Sequence, residues 1–419
     1  MKKRRVVITG LGVVASNGIG KEAFWQACVN GKSGVDLIMN FDTSKLSSKI
    51  AAQLLDFDPL HFLSPQVARK TDRFVHFGLA SAKMAVEDAK LGISNENRQR
   101  TGVVIGSVFG GVLFHETQII AGYEKGFNRV NPLSIPRVTT NAVSSHISIE
   151  FDVTGPNLAI STACASGTNA IGQAFRLIQN NEADIMFTGG VEAPVSPITY
   201  SAFCSLQLLS RKNSEPQKAC CPFDKERDGF VLGEGGAILI LEELSHAIKR
   251  DANIYGEIVG YAGNCGSYHV VLPDVKGMEA ANVMMAAISE ADIDSREIDY
   301  ISAYGNATQV YDQAETNSLK QVFNEYAYNI PVSSIKSMIG HTVGASGAIE
   351  AVSAAMALEN NLIPPTINYN HPDPSCDLDY VPNVSRKARL NTILLNSFGA
   401  GNNNASLVIK KFIDKRSMN

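Results

Sequence analysis

Short apolar runs recur along the chain, and most are followed by a stretch with helical spacing. Val6–Thr9, Thr101–Ile105, Asp184–Thr188, Ala237–Leu241, Ile254–Val259, Tyr300–Ala303 and Thr392–Asn396 read as strands. Their unbroken, β-branched character suits strands buried on both faces. Apolar periodicity predicts helices over Arg73–Ala89, Ser166–Gln179, Met278–Glu290 and Gln313–Phe323. Strands separated by helices indicate an α/β protein whose sheets are covered on both sides. Each half of the chain has a strand, a chemically reactive residue ahead of a helix, and a late glycine-rich turn. An internal duplication is expected, with its seam near Glu243–Ile254 and halves at residues 1–250 and 251–419.

Composition narrows the function classes. The 419 residues are 45% hydrophobic and 19% charged, as in ordinary globular proteins. A net charge of −4 supplies no basic surplus for phosphates, so nucleic acid is not an expected partner. The seven cysteines show no metal-ligand spacing and no secreted disulfide framework, Cys220-Cys221 included. No metal is expected, and a reducing cytoplasm fits. Lys2–Arg5 before Val6–Ala15 superficially resembles a signal peptide, but Gly10 and Gly12 point instead to a buried strand entering a glycine turn. No stretch reaches membrane-spanning length, so no membrane association is expected. Glycine turns at 106–111 and 399–401 lack dinucleotide-fold and P-loop spacing, which argues against nucleotide binding.

The most chemically suggestive stretch is Asn157–Gly167. An apolar strand stops at Ser161-Thr162, small residues follow, and a helix starts near Ser166, with Cys164 in the gap. The positive end of a helix dipole and free backbone N–H groups there favour a thiolate, and small neighbours leave room for a substrate. Such a cysteine is a candidate thioester-forming nucleophile.

Four further segments fall into order with it. They are Pro222–Gly236; Ala303-Tyr-Gly-Asn-Ala-Thr308 with Asp312 and Glu315; Ser334–Gly347, which holds Ile339-Gly-His-Thr342; and Asn396-Ser-Phe-Gly-Ala-Gly-Asn-Asn-Asn404. Their order and spacing resemble β-ketoacyl-acyl-carrier-protein synthases of the synthase II type, above all the ketosynthase subunits of bacterial type II polyketide synthases. Ser196–Thr199, Ile335–Ser337, Pro372–Pro374 and Asp377–Pro382 resemble the polyketide branch in particular.

The resemblance implies a thiolase-like fold with duplicated halves in α-β-α-β-α layers, and a dimer with a homologous ketosynthase or chain-length-factor subunit. It implies a decarboxylative Claisen condensation in which Cys164 carries the acyl chain as a thioester. No resident cofactor is implied, since both substrates arrive on the phosphopantetheine of acyl carrier protein. His341 matches a catalytic histidine, Lys336 the lysine beside it, with Glu350 as its electrostatic partner. The amides of Cys164 and Ala400 match the oxyanion hole. Asn306, Thr308, Val271 and Phe398 fall in the acyl and pantetheine pocket. Carrier proteins are acidic, so Arg69, Lys70, Lys125, Arg129, Arg211 and Lys212 are candidate docking cations.

The pattern also breaks. The family reads Ala-His-Gly-Thr-Gly-Thr where this chain has Ala303-Tyr-Gly-Asn-Ala-Thr308. Tyr304 donates one O–H, but its ordinary pKa is about 10 against about 6.5 for the missing imidazole. Asn306 replaces a pantetheine-holding threonine, Val270-Val271 a hydroxyl-bearing residue, and Ala400 a gating phenylalanine. These departures predict intact acylation of Cys164, altered handling of malonyl groups and a roomier acyl pocket. Two alternatives to condensation follow: a non-condensing chain-length-factor-like scaffold, and an acyltransferase that uses Cys164 without decarboxylation.

Overall fold

A computed structural model describes residues 3–95 and 97–413. Ten strands lie on the path of its main sheet: β1 (Val6–Ala15), β2 (Thr101–Gly106), β3 (Asn157–Ile160), β4 (Ile185–Glu192), β5 (Gly235–Glu243), β6 (Gly256–Cys265), β7 (Tyr300–Ser302), β8 (Val332–Ser333), β9 (Thr392–Gly399) and β10 (Asn403–Lys410). Their spatial order is β8-β7-β9-β10-β6-β1-β5-β4-β2-β3, and a short strand, Gly18–Ile19, folds back on β1. Numbered within its own half, each set of five runs 3-2-4-5-1. Pairing repeats as well, with two antiparallel contacts followed by two parallel ones in both halves. The halves meet where Val6–Ile8 pair with Gly256–Ile258.

Helices α1 (Arg73–Ala89), α2 (Ser166–Gln179), α3 (Met278–Glu290), α4 (Gln309–Phe323) and α5 (Ser346–Asn360) build the layers. One apolar core, with Ile171, Phe175, Ile349 and Val352, holds α2 and α5 between the two halves of the sheet. A second core covers the outer N-terminal face with α1, and a third covers the outer C-terminal face with α3 and α4. The architecture is therefore α-β-α-β-α.

One strand is longer than its sequence suggests. β1 continues through Gly10 and Gly12 to Ala15, with no turn. A bulge between Ile8 and Gly10 shifts the alternation by one, so Val6, Ile8, Leu11 and Val13 all reach the central core. The two glycines then face α1 at close range. A Cβ on Gly12 would stand 1.9 Å from the Ser81 carbonyl oxygen, and one on Gly10 2.3 Å from that of Ala85. Likewise β4 runs through Gly189-Gly190 to Glu192, and α4 begins at Gln309, four residues before the predicted start. Among the described residues, no helix is long and apolar enough to cross a membrane.

Candidate active site

Cys164 sits on a strained turn between β3 and α2. Ala163, just before it, has φ of 51°, a left-handed conformation that costs a non-glycine residue energy. Ser166 braces the turn: its hydroxyl accepts from Thr162 N–H at 2.9 Å and donates to the Ala163 carbonyl at 2.6 Å. The end of β9 closes over it, where a Cβ on Gly399 would lie 2.9 Å from the Cys164 nitrogen. Glycine at 399 thus lets the Ala400 amide come near enough to the sulfur to lower its pKa.

His341 arrives from the loop before α5. Its amide donates to Val231 O at 2.7 Å and its carbonyl accepts from Gly233 N–H at 2.9 Å, which pins the residue to the Pro222–Gly236 segment. The imidazole Nε2 stands 3.0 Å from Cys164 Sγ, and Nδ1 2.9 Å from Ser346 Oγ. A hydroxyl both donates and accepts, so Ser346 serves either imidazole tautomer.

Tyr304 is held by its own turn. The amides of Tyr304 and Gly305 donate to the Glu315 carboxylate at 2.9 and 2.8 Å. Those of Asn306 and Ala307 donate to Asp312 at 3.0 and 3.2 Å. Two carboxylates from α4 thus tie down four consecutive N–H groups, which explains Gly305 at φ 30° and Ala307 at φ 67°. The phenol oxygen lies 3.3 Å from His341 Nε2.

Lys336 and Glu350 are paired in the interior, not on a helix surface, each with a side chain 1% exposed. Burial pushes the Glu350 carboxyl up to about 7 despite the lysine, and one of its oxygens has no hydrogen-bond partner.

The electrostatics depart from the expected ready thiolate. Cys164 keeps some solvent access, yet enclosure raises its thiol pKa above the ordinary value, against the lowering effects of the Tyr304 hydroxyl, the Ala400 amide and the Lys336 charge. Desolvation, with Lys336 nearby, drives His341 well below its usual range. Both directions favour a neutral thiol beside a neutral imidazole at rest. Desolvation outweighs the helix N-terminus here, because ring side chains cover the sulfur.

The cavity over Cys164 is lined by Phe203, Leu208, Phe230, Val271, Tyr304, Asn306, Thr308, Tyr311, His341, Val343 and Ala400, and its volume is about 60 Å³. With Ala400 at the position the resemblance gives to a gating phenylalanine, the cavity is narrow where a roomy pocket was expected. The rings of Phe203 and Phe230 pack edge to face at 5.7 Å, and Tyr311 crosses the mouth to bond the Val271 carbonyl at 2.7 Å. Phe398 does not line this cavity; it lies behind Tyr304, ring centroids 5.8 Å apart. Tyr311, Phe203 and Phe230 escaped the sequence reading because they come from three separate segments. The one local signal was Tyr311 beside Asp312. Of the candidate docking cations, Arg69, Lys70, Lys125, Arg129 and Arg211 are exposed, whereas Lys212 is half-buried with Nζ 3.4 Å from Cys221 Sγ.

Duplicated halves, five layers and a cysteine at the start of a central helix, facing a histidine from the other half, define a thiolase-like condensing enzyme. Residues 3–247 match the β-ketoacyl synthase N-terminal domain and residues 255–370 its C-terminal domain. The chain belongs to the β-ketoacyl synthase family, acyltransferase-class condensing enzymes. It is 44% identical to a 3-oxoacyl-acyl-carrier-protein synthase 2 of Synechocystis sp. over 98% of this chain and 99% of that one. It is equally, at 44%, similar to that of Coxiella burnetii over 99% and 100%. Among solved structures, it superposes on a type II polyketide ketosynthase in complex with its acyl-carrier protein and bound to a hexaketide. That match has a TM-score of 0.91 at 35% identity and covers 98% of this chain and all of the other. The ishigamide ketosynthase/chain length factor gives 0.92 at 31%, with 98% and 100% covered.

Proposed function

We propose that this chain is a ketosynthase subunit that extends carrier-bound acyl chains with malonyl units through a Cys-Tyr-His site. The observation that carries the reading is one point of convergence: His341 Nε2 lies 3.0 Å from Cys164 Sγ and 3.3 Å from the Tyr304 hydroxyl.

In the first half-reaction Cys164 sulfur attacks the acyl thioester carbonyl, and the carrier thiol leaves with a proton. Neutral His341 accepts the S–H proton in that step. The amides of Cys164 and Ala400 stabilise the oxyanion. In the second, the malonyl thioester loses CO₂. Its enolate oxygen takes hydrogen bonds from Tyr304 O–H and from His341 Nε2–H, with Nδ1 then accepting from Ser346. The enolate carbon attacks the Cys164 thioester carbonyl, which expels the cysteine sulfur and leaves a β-ketoacyl chain on the carrier. Tyr304 supplies a donor where the family has imidazole, but no base at neutral pH. His341 alone moves protons.

The partner is an acyl carrier protein, docked on exposed cations such as Arg69, Lys70, Lys125, Arg129 and Arg211. A second, homologous subunit pairs with the chain along the free edge of β3, where Asn157 and Leu158 are exposed next to the helix that carries exposed Ile149. Chain extension on a polyketide-type carrier is favoured by the segments around Ser196–Thr199 and Asp377–Pro382, with fatty-acyl extension the nearer variant of the same chemistry. Acyl transfer without decarboxylation draws support from the single neutral imidazole and the small cavity.

Purified chain with its partner subunit, supplied with acyl- and malonyl-carrier protein, is expected to gain an acyl adduct on Cys164 by intact mass, to release CO₂ and to yield β-ketoacyl product. An acyl adduct without CO₂ leaves the acyltransferase; no adduct leaves the scaffold.

A further inference from the structure

Tyr304 occupies the centre of the site with one proton to give, and the protein fixes where that proton points. Thr308 caps α4, its hydroxyl oxygen accepting from Tyr311 N–H at 3.4 Å. That leaves its own proton free to donate, and it does so to Asn306 Oδ1 at 2.8 Å. The Thr308 amide donates to the same Oδ1 at 3.0 Å. With two donors on its oxygen, the Asn306 amide cannot flip without placing N–H against N–H and O–H. Its Nδ2 is therefore the group that faces the Tyr304 oxygen, 3.3 Å away. A phenol oxygen that accepts from this side turns its single proton to the other, where Cys164 Sγ and His341 Nε2 lie.

We propose that Asn306 is a positioning residue that commits Tyr304 to donate toward the reaction centre. The polarity runs one way, from Tyr311 N–H through Thr308, Asn306 and Tyr304 to the sulfur or the imidazole. It is anchored at the N-terminus of α4, where the first backbone N–H groups carry partial positive charge. This deepens, and rests on, the reading of Tyr304 as the surrogate for the missing imidazole. A threonine at 306 would place a rotatable hydroxyl there, able to accept the phenol proton as readily as to give its own. An asparagine held by Thr308 gives only. The residue that departs from the family pattern two positions after Tyr304 is thus paired with that departure in function. Both changes face each other across a single hydrogen bond.

The same geometry polarises the resting site. A thiolate forming at Cys164 meets Tyr304 O–H, the Ala400 amide and the Lys336 charge, and is opposed by the Glu192 carboxylate. Losing the direction of the Tyr304 proton removes one charge-assisted hydrogen bond, an effect on the order of tenfold in rate.

The test is a double-mutant cycle in the full chain with its partner. Asn306→Leu keeps volume and removes the donor; Asn306→Asp keeps the contacts to Thr308 and offers the phenol an acceptor, reversing its proton. Both are made in the native background and in Tyr304→Phe, and folding is checked by thermal unfolding. The first readout is the alkylation rate of Cys164 by iodoacetamide at pH 8, followed by intact mass; the second is CO₂ release from malonyl-carrier protein. Asn306→Asp is expected to slow alkylation about tenfold more in the native background than in Tyr304→Phe, where only its added charge acts, and Asn306→Leu, which offers the phenol no acceptor, to slow it less than Asn306→Asp. Equal losses in both backgrounds, or no loss in either, overturn the proposal. Absence of CO₂ release from the unaltered protein overturns condensation instead, and the alkylation cycle then decides the role of Asn306 by itself.

Discussion

Lys336 Nζ donates to the backbone carbonyl of Tyr304 at 2.6 Å and stands 4.6 Å from the centroid of the same residue's ring. The lysine thus grips both ends of the residue at the position where the resemblance places a histidine. Its ammonium also bonds Glu350, so a cation is held in the interior by one carboxylate, one carbonyl and one ring face. Such a pair is costly to desolvate and costlier to break, because removing one member strands the other.

Lys336→Met is therefore expected to lose about 3–5 kcal/mol of stability, read as a lower midpoint of urea unfolding. Lys336→Met with Glu350→Met removes both charges and should recover most of it. CO₂ release should stay low in the double variant, because the grip on Tyr304 is gone in both. Full recovery of activity together with stability would make the pair purely structural.

In the proposed reaction Tyr304 separates the two half-reactions. Tyr304→Phe removes one donor from the enolate while leaving the Ala400 amide and His341 beside the sulfur. Acylation of Cys164 is expected to persist, and CO₂ release to fall by about 10²–10³. Tyr304→His restores a second imidazole and should raise CO₂ release above the native rate. Parallel measurement of the acyl adduct and of CO₂ decides the matter: equal losses in both would place Tyr304 in acyl transfer.

How much of this was legible before the fold was known differs from residue to residue. Arg73–Ala89 and Met278–Glu290 were readable because apolar spacing along each survives burial of only one face. β1 was not, since Gly10 and Gly12 look like a turn until α1 lies on them and shows why a side chain would not fit. The sulfur and its histidine were visible as motifs. The state of the sulfur was not, because Phe203, Phe230 and Tyr311 come from separate segments to cover it. Asp312 and Glu315 were visible as residues, but only the closed turn shows each binding two of that turn's backbone amides. Local patterns report a local element; dielectric and cavity volume are set by what distant segments bring.

The neutral thiol–imidazole pair has a pH signature. Burial raises the Cys164 pKa above its ordinary value and lowers that of His341 well below its own, and both directions disfavour a thiolate–imidazolium ion pair. The thiolate fraction then climbs with pH through the neutral range and into the alkaline one. The rate of Cys164 alkylation, followed by mass from pH 6 to pH 10, is expected to rise throughout. A plateau beginning below pH 7 would require an ion pair, and with it a sulfur far better solvated than the ring-lined cavity allows.

Gly399 gives the sharpest link between packing and chemistry. A methyl group there would lie 2.9 Å from the Cys164 nitrogen, 3.0 Å from the Thr162 carbonyl oxygen and 3.1 Å from the Ala163 Cβ. None of these atoms is the free end of a flexible side chain, so the turn that presents the sulfur has to move away from β9. β9 itself is paired along its length with β10 and has little freedom to yield. Gly399→Ala is therefore expected to cost about 1–3 kcal/mol, measured by thermal or urea unfolding. The displacement separates the amides of Cys164 and Ala400, which in the proposed reaction both reach one oxyanion. Misplacing one such donor costs about 10²–10³ in rate, so Cys164 acylation should fall far more than the stability loss alone explains. Alkylation by iodoacetamide, which develops no carbonyl oxyanion, should change much less. Equal loss in acylation and alkylation would mean that the substitution only hides the sulfur, and that the two amides do not act together.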